Sequence, residues 1–302
     1  HSGVILSNIY STWNDEDFSV TAGTFYDQFG SGLLFRSWEE RSLGLNNAVT
    51  GARFTYNFKD IVAFKALWGL PRFGMGVFTN NVNKEKTPTN LETQVRGADL
   101  SFVVSNLLDW NSIYLSVEGS LLSRYEPISA DLIDEGGKPN SLGYSARANF
   151  ESNGFFAKAE YVGAGTKYYQ NPDINSDEWY LKKKGNAQLV EFGYNGRGLG
   201  LTVTGRRLEW MKSQIISGNV STSNMMNYVP AMSTQYTYML TNFHPYSPQP
   251  GLLQQNFANS GEMGGQIDAF YNFRRGTKIG GKRGMRVHAN SSTYYAIARK
   301  GI

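Results

Sequence analysis

The segment "SIYLSVEGSLL" sets the pattern for the whole chain. Ile113, Leu115, Val117, Gly119 and Leu121 fall on one side, and Ser112, Tyr114, Ser116, Glu118 and Ser120 on the other. A period of two sustained over ten residues predicts a strand with one apolar and one polar face. "GLGLTVTGR" repeats the pattern, with Leu199, Leu201, Val203 and Gly205 opposite Gly200, Thr202, Thr204 and Arg206. "FFAKAEYV" sets Phe155, Ala157, Ala159 and Tyr161 against Lys158 and Glu160. "IVAFKALW" and "GYSARANF" alternate less cleanly, with Lys65 and Arg147 on their polar sides.

Connectivity follows from the turn signals. Short ones occur at "NDED" (14–17), "NFKD" (57–60), "LLDWN" (107–111), "ESNG" (151–154) and "NGRG" (195–198), and a longer one at 274–284. Between them lie long polar connections, roughly 28–50, 71–93, 125–141, 164–185 and 209–262. Short and long connections alternate strictly. This predicts an all-β, antiparallel up-and-down transmembrane β-barrel of about twelve strands, its short turns periplasmic and its long loops extracellular. A single barrel domain is expected over residues 1–302, with its first strand starting at residue 3 and its last ending near Thr293. The opening "HSGVILSNIYSTW" alternates and has no signal-peptide pattern, so the chain is read as mature; the closing "YYAIARKGI" lacks a terminal aromatic residue, so twelve is read as a lower bound on the strands of a longer chain.

A soluble sandwich also alternates, because one face of each sheet is core and the other is water. Two features favour a membrane. The strands run for about nine to eleven residues, enough to cross a bilayer at a tilt. Aromatic residues also gather near strand ends, as membrane girdles require: Trp13, Phe18 and Tyr26, then Phe150, Phe155 and Tyr161, then Phe192 and Tyr194. The sequence places Lys65, Arg96, Asp99, Glu118, Arg147, Lys158, Glu160, Glu191, Arg206, Asp268 and Arg286 on the face opposite the apolar one. Mid-strand charges are costly against lipid, so that face is expected to line a polar lumen.

Composition narrows the function classes. Glycine and aromatic residues are abundant and proline is sparse, as in a β protein with many turns. No cysteine is present, which excludes disulfide scaffolds, thiolate metal sites and thiol catalysis. The net charge of +4 comes without a basic stripe interleaved with aromatics, so no nucleic-acid partner is expected. The dense basic run "RRGTKIGGKRG" reads as a turn. No stretch of eighteen apolar residues exists for a transmembrane helix, and the first residues do not form a signal peptide.

One connection does not fit an idle loop. In "QFGSGLLFRSWEERSLGLNNAVTG" (28–51), Leu34, Trp38 and Leu43 fall roughly on one helical face and Gly44 is a plausible C-terminal cap. A short helix or loop folded into the barrel mouth would place Arg36, Glu39, Glu40 and Arg41 as a constriction or plug against the polar wall. The alternative is an extracellular turn whose charges pair only locally.

The same region carries a resemblance. Residues 20–56 resemble the most recognisable block of a family of Bacteroidota outer-membrane barrel proteins of unknown function. In that family an aromatic residue and "QFGSGLLLR" are followed by "YEERSLGLDNA". The chain matches at Gln28 to Arg36, Glu39 to Gly44 and Asn46 to Ala48, with Trp38 at the aromatic position and Asn46-Asn47 in place of Asp-Asn. The resemblance implies an outer-membrane barrel and brings no activity with it.

Catalytic constellations are weak. Adjacent Glu39 and Glu40 cannot face each other as a glycosidase pair. His1, His244 and His288 lie in unrelated places, so neither a metal site nor a Ser-His-Asp set is expected. "FGSGLL" and "GYNGRGLG" open no helix after a parallel strand, so no phosphate loop or other cofactor site is expected. Residues 209–262, rich in Met, Tyr, Pro and Asn, suit either an adaptable contact surface or a lid.

The leading expectation is a non-enzymatic, porin-like barrel with a charged lumen that passes or gates small polar solutes. Its wall would include Lys65, Glu118, Arg147, Lys158, Glu160, Glu191, Arg206, Asp268 and Arg286, whose mixed signs argue against strong ion selectivity. The rival is a non-conducting subunit of a larger outer-membrane assembly, embedded in outer-membrane lipid and docking other membrane proteins or lipoproteins through 209–262. A soluble carbohydrate-binding β protein is the third reading.

Overall fold

The computed structural model describes residues 8–40, 45–72, 78–79, 86–87, 92–171, 179–217, 226 and 261–297. Twelve strands form one antiparallel meander in which each pairs with the next in sequence. They are β1 (Tyr10–Asn14), β2 (Phe18–Phe25), β3 (Val49–Phe58), β4 (Val62–Pro71), β5 (Gln94–Val103), β6 (Ile113–Tyr125), β7 (Asn140–Ser152), β8 (Phe155–Gln170), β9 (Tyr180–Gly196), β10 (Leu199–Glu209), β11 (Gly261–Phe273) and β12 (Met285–Ile297). Among the described residues β1 and β12 stand at the two ends of this order. No described helix is long and apolar enough to cross a membrane, which leaves the strands as the elements to consider.

Turn chemistry sets the register. Asn153-Gly154, Arg197-Gly198 and Lys59-Asp60 each hold two successive residues at positive φ, the hairpin geometry whose twist matches the flanking strands. Register then places Glu118 opposite Arg147, Ser120 opposite Ser145 and Leu121 opposite Tyr144 across β6 and β7. Polar residues therefore meet polar residues on one face and apolar ones meet apolar ones on the other.

Burial is inverted relative to a water-soluble protein. Leu100, Val117, Leu121, Leu142, Val190, Phe192, Ile267 and Val287 point outward and are 44–58% exposed. On the opposite face Asp99, Ser116, Ser120, Arg124, Ser145, Arg147, Glu160 and Arg206 are at most 8% exposed. Soluble folds bury the first kind of residue and expose the second. Aromatic residues mark both edges of the apolar band. Trp13 packs edge-on against Phe18, and Phe155 lies 4.7 Å from Tyr194, near the short turns. Trp68, Tyr144, Tyr161 and Tyr295 face outward toward the long connections. Beyond that band β8 and β9 continue, and their outward side carries exposed Lys182 and Lys184.

Two expectations need correction here. Arg96 is exposed on the outer face and donates to Gln94 beside it. Arg96 and Asp99 differ in parity along one strand, so only Asp99 can point inward. Tyr26, expected in a girdle, instead turns inside and donates its hydroxyl to Asn46 Oδ1 at 3.2 Å.

The sheet is curled, because residues 27–37 touch β3 and β4 on one side and β7 and β8 on the other. The main apolar core lies inside this curl, toward the long-loop end. It comprises Phe25, Phe29, Leu33, Leu34 and Phe35 packed on Val49, Leu67, Val95, Leu122, Val162, Ala187, Leu208, Met211 and Met226.

Candidate functional site

Residues 27–37 leave β2 and re-enter the curl as a compact loop closed at its base. Asp27 N–H donates to Ser37 Oγ at 2.9 Å, and Ser37 N–H donates to the Asp27 carbonyl at 2.8 Å. A two-residue bridge pairs Gln28 with Arg36 and Phe29 with Phe35. Loops with tied ends and self-packed side chains are a recognised compact form. The described part of 28–51 contains no helix, contrary to the helical reading of Leu34, Trp38 and Leu43. The "GSG" run explains the difference: Gly30 (φ 53°) and Gly32 (φ 91°) adopt left-handed backbone angles that turn the chain back on itself. Arg41, Leu43 and Gly44 lie outside the described residues.

The loop fills the curl as a plug. Phe29, Leu33 and Phe35 are 0% exposed, with the two phenyl rings 5.1 Å apart. Wall glycines make room for it: a Cβ on Gly97 would come within 2.6 Å of the Phe29 ring, and one on Gly143 within 2.7 Å of Leu34 Cδ1. The seal between plug and wall is therefore apolar and tight, not a ring of charges.

Polar anchors hold the plug from the side and from below. Asp27 Oδ1 accepts from Lys65 Nζ at 3.1 Å, and Arg53 lies 3.7 Å from Oδ2. Ser31 N–H donates to Glu160 Oε2 at 3.1 Å. Next to Glu160, Arg147 donates from Nε to Glu118 at 2.7 Å, from Nη1 to Ser120 and Ser145, and from Nη2 to Asp99. Asn149 completes the Glu118 shell at 2.8 Å. Buried Arg147 and Asp99 and half-buried Glu118 thus share one satisfied network, the condition under which buried ion pairs are tolerated.

A third anchor comes from the long-loop end. Arg36 N–H donates to the Met226 carbonyl at 2.9 Å, and Met226 N–H donates to Ser213 Oγ at 3.0 Å. Residues 211–217 are themselves fastened to the wall. Ile215 N–H donates to Glu126 Oε2 at 2.6 Å, Glu126 pairs with Arg124, and Lys167 donates to the Ser213 carbonyl at 3.1 Å. Ile216–Ser217 adds a parallel bridge to Tyr168–Tyr169. Burial pushes the Lys212 ammonium below its usual range in this loop.

Below the plug the interior opens into a cavity lined largely by charged side chains. This cavity of about 380 Å³ is roofed by Gly30 and Ser31 and walled by Glu118, Arg147, Lys158, Glu160 and Glu191. Lys158 and Glu191, 4.0 Å apart, also line a basin of about 680 Å³ that reaches the short turns at Ser112 and Asn153. The two spaces form one polar vestibule ending at the plug.

The structure distributes the sequence-proposed residues unevenly. Lys65, Glu118, Arg147, Lys158, Glu160, Glu191, Arg206 and Asp268 point inward, and the first six touch the plug, its anchors or the vestibule. Arg286 also points inward but is exposed on β12, its guanidinium 4.1 Å over the Phe270 ring. Arg36 stacks over the Trp38 ring, and Glu39 and Glu40 bridge to Asn46 and Leu45. Neither the Arg36 nor the Glu39 contact shown reaches the lumen wall. Asp27, Phe29, Leu33, Phe35 and Met226 were not singled out in the sequence; the available signal was the "GSG" flanked by large apolar residues. His288, without an acidic neighbour in sequence, gains Asp268 at 2.6 Å across β11 and β12. No group of metal-ligating side chains occurs among the described residues.

Comparison with known proteins adds a family. One family model matches residues 1–302. The chain belongs to the family of unknown function DUF6029. No curated protein matches this family member. Among solved structures it is similar to Pseudomonas aeruginosa OccK3 (OpdO), with 10% identity over 96% of this chain and 74% of that one and a TM-score of 0.39. It is also similar to Pseudomonas aeruginosa OccK2 (OpdF) in complex with glucuronate, with 8% identity, 96% and 76% coverage and a TM-score of 0.41. A third similar structure is Acinetobacter baumannii OccAB3, with 11% identity, 97% and 72% coverage and a TM-score of 0.38. Likeness at this level transfers no activity.

Proposed function

We propose that this DUF6029 member is a plugged, porin-like barrel of the outer membrane, of the Bacteroidota kind that residues 20–56 resemble, and that it admits small polar solutes when residues 27–37 are displaced. The inverted burial carries this reading. Leu121 is 56% exposed while its neighbour Ser120 is 4% exposed, an arrangement that is stable with lipid outside and a polar lumen inside. The wall charges Lys65, Glu118, Arg147, Lys158, Glu160 and Glu191 would then tune which solutes enter, with both signs present and neither dominant.

The test is single-channel conductance of the full-length protein in planar bilayers, with and without the plug. Replacing Gln28–Arg36 by a short Gly-Ser linker suits the structure, because Asp27 and Ser37 already meet at the loop base. The expected result is a nearly silent wild type and a steady conductance in the linker variant. One observation favours a second reading: the seal is dry and apolar, as in a barrel that anchors other proteins and does not conduct. Silence in both forms would support that scaffold role, with outer-membrane proteins or lipoproteins docking through 209–262, most of which lies outside the described residues.

A further inference from the structure

We propose that the cavity beneath the plug is a binding site for a small solute bearing a primary ammonium group, held by Glu160 with Ser31 as a second acceptor. The inference rests on the lumen being a solute compartment, and it adds the chemistry of what is held there.

The charge arithmetic at the cavity is uneven. Every nitrogen of Arg147 already donates, to Asp99, Glu118, Ser120 and Ser145. The Lys158 ammonium pairs loosely across the strands with Glu191, at 4.0 Å. Glu160, 8% exposed, lies in the field of Arg147 without a hydrogen bond to it and receives the Ser31 N–H on Oε2, while its Oε1 has no hydrogen-bond partner. Ser31 Oγ, beside it on the plug, has none either. A buried carboxylate oxygen and a buried hydroxyl, both without a partner beside a cavity that their residues line, are acceptors in search of a donor. An ammonium supplies both charge and up to three N–H bonds.

Geometry allows the contact. Oε1 is tucked under Gly30, where an added Cβ would lie 2.8 Å away. The last torsion of a glutamate is broad and roughly two-fold, so the carboxylate swings toward the cavity at small cost. A volume of about 380 Å³ falls within the usual range for small-molecule sites, and the basin at the short turns provides the route in. An anionic solute meets the opposite situation, because Arg147 has no uncommitted nitrogen and Lys158 faces a carboxylate.

Isothermal titration calorimetry on the detergent-solubilised full chain tests this with three sugars of matched size. Glucosamine is expected to bind at least tenfold tighter than N-acetylglucosamine, which lacks the ammonium, and tighter than galacturonate. Glu160→Gln should abolish the preference, and Ser31→Ala should weaken it several-fold, both in protein shown to be folded by heat-modifiable gel mobility. Equal binding of the first two sugars, tighter binding of galacturonate, or a preference that survives Glu160→Gln would overturn the site. Binding in detergent does not depend on conductance, so silence of both the wild type and the linker variant with an intact ammonium preference would sink the porin reading and leave the site standing.

Discussion

Phe35→Ala is the sharpest perturbation of the plug. The Phe35 ring is 0% exposed, lies 5.1 Å from that of Phe29, and belongs to the same core as Leu67, Val95, Leu122 and Val162 on the wall. Truncating a fully buried phenylalanine costs about 3–5 kcal/mol, from lost transfer energy and the cavity left behind. If displacement of the plug exposes this ring to water, the open state loses little and nearly the whole cost falls on the closed one. At about 1.4 kcal/mol per factor of ten, the open-to-closed ratio should rise by roughly two to more than three orders of magnitude.

The assay is the open fraction in single-channel records, compared with Leu121→Ala on the outer face, which does not touch the plug. Adding Phe29→Ala should give less than twice the effect, because the two rings touch and their contributions are coupled. A folded Phe35→Ala protein with the open fraction of the wild type would refute the assignment of 27–37 as the element that closes the lumen.

Other consequences follow from the same geometry. Val117→Arg places a charge on the outward face at the middle of β6 and should cost about 2–4 kcal/mol in detergent or lipid unfolding experiments; a change within about 0.5 kcal/mol would indicate a water-facing surface. Arg147→Gln strands Asp99 and Glu118 without their cation, and a loss of about 3–5 kcal/mol is expected in the same measurement. Ser213→Ala removes the acceptor of Met226 N–H and should loosen the loop by about 0.5–1.5 kcal/mol, read as faster proteolysis between 209 and 217. Lys212 makes this loop pH-sensitive. Burial lowers its pKa in the closed loop below its released value, so closure is favoured as pH rises through that window and weakened as pH falls. Protection from proteolysis should increase from pH 7 to pH 10, and Lys212→Met should reduce the dependence without abolishing it, because Lys167 is also buried against this loop, beside Arg124 and Glu126.

Much of the fold was legible because alternation and turn chemistry are local. "SIYLSVEGSLL" alone separates outward-facing Leu121 from inward-facing Ser120, and Asn153-Gly154 announces its own hairpin. Parity is legible too, and it decides Arg96: three residues from Asp99, it must face the other way. The plug was harder. A charged segment between strands advertises Arg36 and Glu39, yet the wall is held by Asp27 and by the backbone N–H of Ser31, which leaves no mark in composition. Helical periodicity over Leu34, Trp38 and Leu43 was outweighed by two glycines that bend the chain before a helical turn can form. Met226 sits in a stretch of mixed composition, and only the fold brings it to Arg36.

The two ends of the lumen differ in kind, and that difference constrains how the plug can open. Toward the short turns lies the vestibule, whose hold on the plug among the described residues is one N–H to Glu160. Toward the long loops lie the apolar seal and the Arg36–Met226–Ser213 chain, itself tied to Glu126 and Lys167. A hydrogen bond to a charged acceptor contributes about 1.5–3 kcal/mol, while each fully buried Phe or Leu of the seal contributes a comparable amount and several act together. The weak hold faces the vestibule and the strong one faces the loop. A solute in the vestibule can therefore loosen the tip of the plug but cannot by itself break the seal. Full opening requires that the 211–217 segment and Met226 release Arg36 first, so the plug should respond chiefly to what engages the long loop.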